Sequence, residues 1–260
     1  MMRWTVRVGL AALSLAVATG IWGVKKRFSQ RQAACESSGG SAEVCSRLTY
    51  GFSDWIDAWG SEYAPTMPSD SRMRLLIARR PELVAAHAYC YFLHRRWFDP
   101  ARITPDAFAR SVEGFSIVRS ELATWREARG GLAPCYESVR RALGVEAQDP
   151  ESLLDRFDAV VVVNPLALGS TQGTWKSLMR EVSRVLVHEK IHVFQQLCAP
   201  FAERAKAEWA SLSREAREEM MRAHPGYNWA DPEVAARERA AFLHEKDPGA
   251  LASVYPECSR

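Results

Sequence analysis

The sequence predicts a mostly helical α+β domain with a small β-sheet beside one long helix. Hydrophobic residues make up 47% of the 260 residues and aromatic residues 10%, which is enough for a substantial core. Trp175–Leu197 contains neither Pro nor Gly and carries apolar residues at helical spacing. Ala159–Val163 is instead a continuous apolar, β-branched run, which is typical of a buried strand. No second strand is obvious from the pattern.

The predicted domain spans residues 43–260 and has two parts. Residues 146–260 contain the strand and the long helix, and residues 43–145 have a mostly helical pattern. Gly130 and Gly131 are expected to end one helix before Pro134 begins the next. The helices predicted in the first part are Val44–Trp59, Ser71–Arg80, Pro81–Trp97, Pro105–Arg129 and Pro134–Leu143.

Residues 1–27 are predicted to be a signal anchor or targeting segment, followed by a polar tether at residues 28–42. An apolar run of 17 residues, 8–24, has two arginines before it and three basic residues after it. An Ala-Val-Ala site inside the run leaves cleavage by signal peptidase as an alternative to a retained anchor. Positive charge is heavier after the run than before it, and this feature taken alone favours a cytoplasmic location for the C-terminal domain. The lack of acidic residues near the N-terminus leaves mitochondrial targeting open.

Cysteine usage predicts an oxidising, extracytoplasmic environment, in a membrane-anchored or secreted protein. The chain has six cysteines, an even number that suits disulfides, although buried free thiols are the alternative. Cys35 and Cys45 flank a short Ser/Gly-rich loop and are the easiest pair to expect, and Cys258 could pair with Cys198. All six lie beyond the apolar run: Cys35, Cys45, Cys90, Cys135, Cys198 and Cys258.

Composition and motifs exclude several classes of function. The net charge of +3 is the difference between 34 basic and 31 acidic residues spread along the chain, so nucleic-acid binding is not indicated. The sequence contains no serine nucleophile elbow, no glycine-rich phosphate loop and no dinucleotide-binding fingerprint.

The candidate site is the stretch His188-Glu189-Lys190-Ile191-His192, which has the form H-E-x-x-H. Residues four apart lie on the same face of a helix, so both imidazoles can reach one metal ion. Glu189 can then accept a proton from a metal-activated water and pass it to the leaving group. Thr174 is expected to cap the helix that carries this motif.

The segment Trp175–Glu245 resembles zincin metallopeptidases, in the branch whose third zinc ligand is a Glu on a later helix, and uncharacterised bacterial H-E-x-x-H proteins. The resemblance implies a zincin-like fold, with the sheet edge beside the motif helix holding substrate in an extended conformation. It implies Zn²⁺ bound by His188, His192 and a Glu. The branch with a third His is excluded, because neither its Gly nor its His follows His192.

Within this resemblance, Glu233 is the predicted third ligand and Glu238 the alternative. Asp231 and Pro232 are expected to begin the helix that carries both, and four alanines would let it approach the motif helix closely. A glutamate in the first turn is also favoured by the helix dipole alone, which is the competing interpretation of Glu233.

The resemblance also implies a group that stabilises the oxyanion of the tetrahedral intermediate. Tyr227, before the Glu helix, and His244, near its end, are the candidates, with a structural role for each as the alternative.

The function predicted from these residues is a membrane-anchored zinc peptidase with a peptide or protein substrate. The alternative is a non-catalytic membrane-anchored binding or scaffold protein on a degenerate zincin core. Lys190 motivates this alternative, because an ammonium group beside Zn²⁺ is unfavourable unless the side chain carries it away from the metal.

Overall fold

The fold is mostly helical, with a small mixed sheet of four strands, as the sequence predicts. It is seen in a computed structural model. The residues that the structure describes are 22–50, 55–58, 73–95, 97–98, 103–145, 157–247, 251, 254–255 and 258.

Nine α-helices are traced in the described residues, and Leu251 and Val254 are helical as well. Side-chain caps from Thr174 and Asp231 begin the sixth and ninth of them, as predicted. The helices are α1 (22–37), α2 (Ala42–Thr49), α3 (Pro81–His94), α4 (Pro105–Ser111), α5 (Arg119–Leu143), α6 (Trp175–Leu197), α7 (Ala199–Ser211), α8 (Arg214–Ala223) and α9 (Pro232–His244).

The sheet has the strand order β1-β2-β4-β3, and β4 is the predicted strand Ala159–Val163. The other strands are β1 (Trp55–Asp57), β2 (Met73–Ala78) and β3 (Gly114–Val118). β2 runs parallel to β4, whereas β1 and β3 are antiparallel to their neighbours and lie at the two edges.

Alternate residues of the strands face two different cores, because successive side chains point to opposite faces of a sheet. Val160 and Val162 join the aromatic-rich core formed with α3, α4 and α5. Val161 and Val163 join the core formed with α6. The sheet is therefore a middle layer. Helix α6, which carries the motif, covers one of its two faces.

Three helices predicted in residues 43–145 are wrong, because each includes a strand or part of one. Ser71–Arg80 contains β2, whose run Met-Arg-Leu-Leu-Ile-Ala is short and apolar, a pattern that does not separate a buried strand from a helix. Val44–Trp59 is helical only as far as Thr49 and then reaches β1. Pro105–Arg129 is divided by β3 between α4 and α5.

The predicted break at Gly130 and Gly131 is also wrong, because α5 runs through both glycines and through Pro134. Tertiary contacts after the glycines hold the helix: Tyr136 and Val139 are buried against α3. Packing of this kind outweighs the low helix propensity of single residues.

Helices α7 and α9 pack against α6. Ala240 and Ala241 of α9 pack against Val187 and Ile191 of α6, so small residues do allow the close approach expected of this helix. Ala235 and Ala236 instead pack against tryptophans of the neighbouring elements, Trp209 and Trp229.

All six cysteines form disulfides, which indicates an oxidising, extracytoplasmic environment. The expected pairs Cys35–Cys45 and Cys198–Cys258 are confirmed. The third pair, Cys90–Cys135, joins α3 to α5.

The N-terminal prediction lies largely outside the described residues, since these begin at residue 22. Among the described helices, none is both long and apolar enough to cross a membrane. Residues 28–37, expected to begin a tether, are helical as part of α1.

Candidate metal centre

His188 and His192 lie one turn apart on α6 and are both buried, with 6% and 4% of their surface exposed. Their ring centres are 4.8 Å apart and the rings are nearly perpendicular. Together with Glu189 they form a buried group whose ligand atoms lie within 4.8 Å of one another, so this group could hold a metal ion.

Glu238 of α9 lies between the two histidines. Its Oε2 is 3.3 Å from Nε2 of His188 and 3.4 Å from Nε2 of His192. Three ligand atoms at roughly 2.0–2.1 Å from a tetrahedral ion are about 3.3 Å apart, so these separations suit one shared metal ion. Two imidazoles and one carboxylate are also a ligand set found in catalytic zinc sites.

The remaining ring nitrogens have partners that orient each imidazole. Nδ1 of His188 lies 3.2 Å from Oε2 of Glu245, and Nδ1 of His192 lies 3.1 Å from Oε1 of Gln195. The Gln195 amide in turn donates to the backbone oxygen of Arg237. With both Nδ1 atoms donating, both Nε2 atoms are left as acceptors, the state that a metal requires.

The carboxylates strongly perturb the protonation of this group. Burial alone would lower the pKa of His188, but hydrogen bonds to Glu238 and Glu245 raise it to about 10. Burial would raise the pKa of Glu238, but the two histidines hold it well below its usual range. The metal-free centre therefore carries a proton on His188 at neutral pH, and metal binding must displace it.

Replacing Glu245 by Gln is expected to weaken metal binding by roughly 10–100-fold, the usual cost of losing an outer-shell carboxylate. The amide cannot match the charge that supports the His188 imidazole. Glu181→Gln is the matched control, since both carboxylates pair with Arg184 but only Glu245 reaches His188. Competition with a chromogenic chelator measures both affinities; equal losses in the two variants would assign the effect to Arg184.

Glu189 lies on the side of the centre that faces β3. It is 8% exposed, and the Ser116 side chain of β3 lies close to its carboxylate. Burial raises the pKa of Glu189, an effect that the nearby histidines oppose. A carboxylate with a raised pKa is better suited to take up and release a proton near neutral pH.

Gly114 allows β3 to lie this close to α6. A Cβ atom at this position would be 2.6 Å from Cγ1 of Val185, 3.0 Å from the backbone oxygen of Val162 and 3.3 Å from Cγ of Glu189. A β-branched side chain in a helix has little rotamer freedom to give way. The glycine therefore sets the distance between the edge strand and the motif helix.

Gly114→Ala is expected to lower the free energy of unfolding by about 1–3 kcal/mol, the usual effect of overpacking. It should also displace Glu189. Gly169→Ala serves as control, because nothing lies within 4 Å of a Cβ there. This control should lower the free energy of unfolding by no more than about 0.5 kcal/mol. Urea denaturation measures both, and equal stabilities would show that the strand can shift freely.

A cleft of about 610 Å³ opens onto the centre, and its two ends differ in chemistry. One end is polar, where Arg184 pairs with Glu113 at 2.9 Å and with Glu245 at 4.0 Å. The other end is aromatic, with ring contacts that join Phe92 to Trp97 and Phe115. His188, Glu189, His192 and Glu238 line the same cleft.

The structure does not support Glu233 as the third ligand. Its side chain is 62% exposed and lies 3.9 Å from Arg95, whereas Glu238, the alternative, contacts both histidines. Lys190 is 1% exposed and is not among the residues that line the cleft, so its ammonium does not face the histidines from that side.

The two predicted oxyanion helpers lie in different places. Tyr227 lines the cleft with 39% of its surface exposed, and desolvation of its hydroxyl together with the charges of Glu238 and Glu189 raises its pKa. His244 does not join the site, because its ring packs against Phe201 of α7 and it is not part of the cleft wall.

Two residues near the centre carried no prediction from the sequence. His224 lines the cleft, and its ring stacks on Phe242 with centres 3.7 Å apart. Glu245 follows Glu238 by seven residues, which places both on the same face of a continuing helix. The seven-residue spacing could therefore have predicted Glu245 from the sequence. His224 lies in the loop before α9, where no periodic pattern indicates its position.

No protein-family model, curated protein or solved structure matches this chain.

Proposed function

We propose that the protein is a zinc-dependent peptidase. The observation that carries the proposal is the position of Glu238, within 3.4 Å of Nε2 of both motif histidines. His188, His192 and Glu238 would hold Zn²⁺, since two histidines and a carboxylate leave a fourth position open for catalysis. When bound there, zinc supplies Lewis acidity that polarises a peptide carbonyl and activates water.

Glu189 acts in this proposal as general base and then as general acid. It accepts a proton from the attacking water and delivers it to the departing amine. Its burial and its place beside the histidines, on the cleft wall, support this role. The nearby Ser116 hydroxyl of β3 can donate to this carboxylate and so help to orient it.

The edge strand β3 supplies a surface for an extended peptide. Gly114, Phe115 and Ser116 line the cleft, and within the described ranges β3 pairs with β4 alone. The backbone groups on the other side of an edge strand can pair with an added strand. This supports a peptide or protein substrate rather than a compact small molecule.

Tyr227 would donate its phenolic hydrogen to the developing oxyanion, since its raised pKa keeps the hydroxyl protonated. Tyr227→Phe is expected to lower kcat by roughly 10²–10³-fold with zinc content and KM little changed. His244→Gln is the control and should keep the parent rate, because His244 packs against Phe201 instead. Steady-state kinetics on a cleaved peptide decide between them; a loss mainly in KM would make Tyr227 a binding residue.

Metal content and peptide cleavage test the proposal together. The purified protein should contain one zinc ion per chain, lose peptidase activity on chelation and regain it with added zinc. A folded protein that binds no zinc after reconstitution would contradict the proposed centre. Zinc bound without cleavage of a diverse peptide library would instead favour a binding or scaffold role.

We also propose that residues 1–27 tether this peptidase to a membrane. The three disulfides support an oxidising location for the folded domain. The apolar run at residues 8–24 and its basic flanks support the attachment.

A further inference from the structure

The aromatic end of the cleft is a continuous wall of rings. Phe92 stacks on Trp97 with centres 4.6 Å apart, and it also contacts Phe108 and Phe115 at 5.8 and 6.1 Å. Phe98 contacts Phe108 at 5.4 Å. All five rings line the cleft, together with Val112 and Val234.

This wall is fixed in place by the surrounding fold. The disulfide Cys90–Cys135 joins α3, which carries Phe92, to α5. The Arg237 guanidinium lies over the Trp97 ring, 4.6 Å from its centre. With its amide oriented to donate to Glu121 at 3.1 Å, Gln196 accepts from Nη2 of Arg237 at 3.0 Å, so this cation is held against the ring. A wall held in this way is preorganised, so a ligand need not order it.

The wall lines the same cleft as the reacting groups. Phe115 lies on the edge strand β3 between Gly114 and Ser116, with its ring on the opposite face of the strand from Glu189. Arg237 precedes the proposed ligand Glu238 in the chain. A peptide bound at the centre would therefore present a neighbouring side chain to these rings.

We propose that the aromatic end is a subsite for one large apolar side chain of the substrate, next to the bond that is cleaved. This rests on the proposed peptidase function. The five rings and two valines offer mainly apolar contact, and the Arg237 guanidinium lies over the Trp97 ring. At the polar end, an apolar side chain would instead remove water from the charged groups of Glu113, Arg184 and Glu245, which is unfavourable. The occupant is thus an aromatic or large aliphatic side chain.

Binding of matched chelating compounds tests the subsite without requiring cleavage. Calorimetry on the zinc-loaded protein compares the affinities of peptide hydroxamates that carry either a benzyl or a methyl side chain. Two series are used: in one the peptide extends from the amino side of the chelating group, and in the other from the carboxyl side. In one series the benzyl compound should bind at least about tenfold more tightly, as expected for filling an apolar pocket. Equal affinities within both series would overturn the subsite.

Two variants locate the preference. Val112→Trp should fill the subsite and remove the benzyl preference, and Trp97→Ala should reduce it by removing part of the wall. Val254→Trp is the control, because Val254 is 53% exposed and lies outside the cleft wall. A preference that survives in a folded Val112→Trp protein, as judged by its thermal unfolding, would place the apolar site elsewhere.

Failure of the peptidase proposal gives a different result. A protein that prefers the benzyl compound but cleaves no peptide keeps the subsite and loses the proposed activity. A protein that cleaves peptides with no preference for large apolar residues keeps the activity and loses the subsite.

Discussion

Glu189→Gln should abolish peptide cleavage while leaving zinc binding close to that of the parent protein. The amide has nearly the same shape as the carboxylate but cannot accept a proton from the attacking water. General acid–base catalysis contributes roughly 10²–10⁴-fold, so the rate should fall by at least that factor. Zinc binding should persist because the proposed ligand atoms belong to His188, His192 and Glu238, whereas Glu189 lies on the β3 side of the centre.

Two measurements are needed for this variant. Cleavage of a fluorogenic peptide gives the rate, and metal analysis of the same sample gives the zinc content. Ser116→Ala is the companion variant, because it removes only the hydroxyl that contacts Glu189 and should cause a smaller loss of kcat. A Glu189→Gln protein that cleaves as fast as the parent would show that another group takes the proton. Loss of zinc would make Glu189 a ligand.

The motif helix and its neighbouring strand could be predicted because their patterns are strong and local. Trp175–Leu197 has helical periodicity, a capping threonine and no breaker, and Ala159–Val163 is apolar and β-branched throughout. The strand β2 has the same length scale but mixes Met, Arg, Leu and Ala, all acceptable in a helix. Its pairing with β4 and β1, which is not a local property, makes it a strand.

The third ligand was ambiguous for a different reason. At roughly 3.6 residues per turn, residues five apart point about 140° away from each other around a helix. Only one of Glu233 and Glu238 can therefore face α6, and the choice depends on how α9 is rotated. That rotation is set by the packing of Ala240 and Ala241 on Val187 and Ile191, which a single sequence does not reveal.

The same geometry predicts opposite results for two substitutions on one helix. Glu238→Gln should reduce zinc affinity by more than the roughly 10–100-fold expected for an outer-shell partner, because it removes a direct ligand. Glu233→Gln should leave zinc affinity and cleavage unchanged, because its carboxylate is 62% exposed and faces Arg95. The two changes are chemically identical and lie on the same helix, so differences in charge or helix propensity cancel.

Zinc affinity of both variants, measured by competition with a chelator, separates the two possible rotations of α9. The fold of each variant is checked by its circular dichroism spectrum, since Glu238 is buried and Glu233 is not. Loss of zinc in Glu233→Gln with retention in Glu238→Gln would require α9 to turn by about 140°. That rotation would withdraw Ala240 and Ala241 from Val187 and Ile191 and move Glu245 away from His188. The position of the Glu238 carboxylate is thus tied to the packing of the whole helix. Glu233 as ligand would contradict both the alanine packing and the contact between Glu245 and His188.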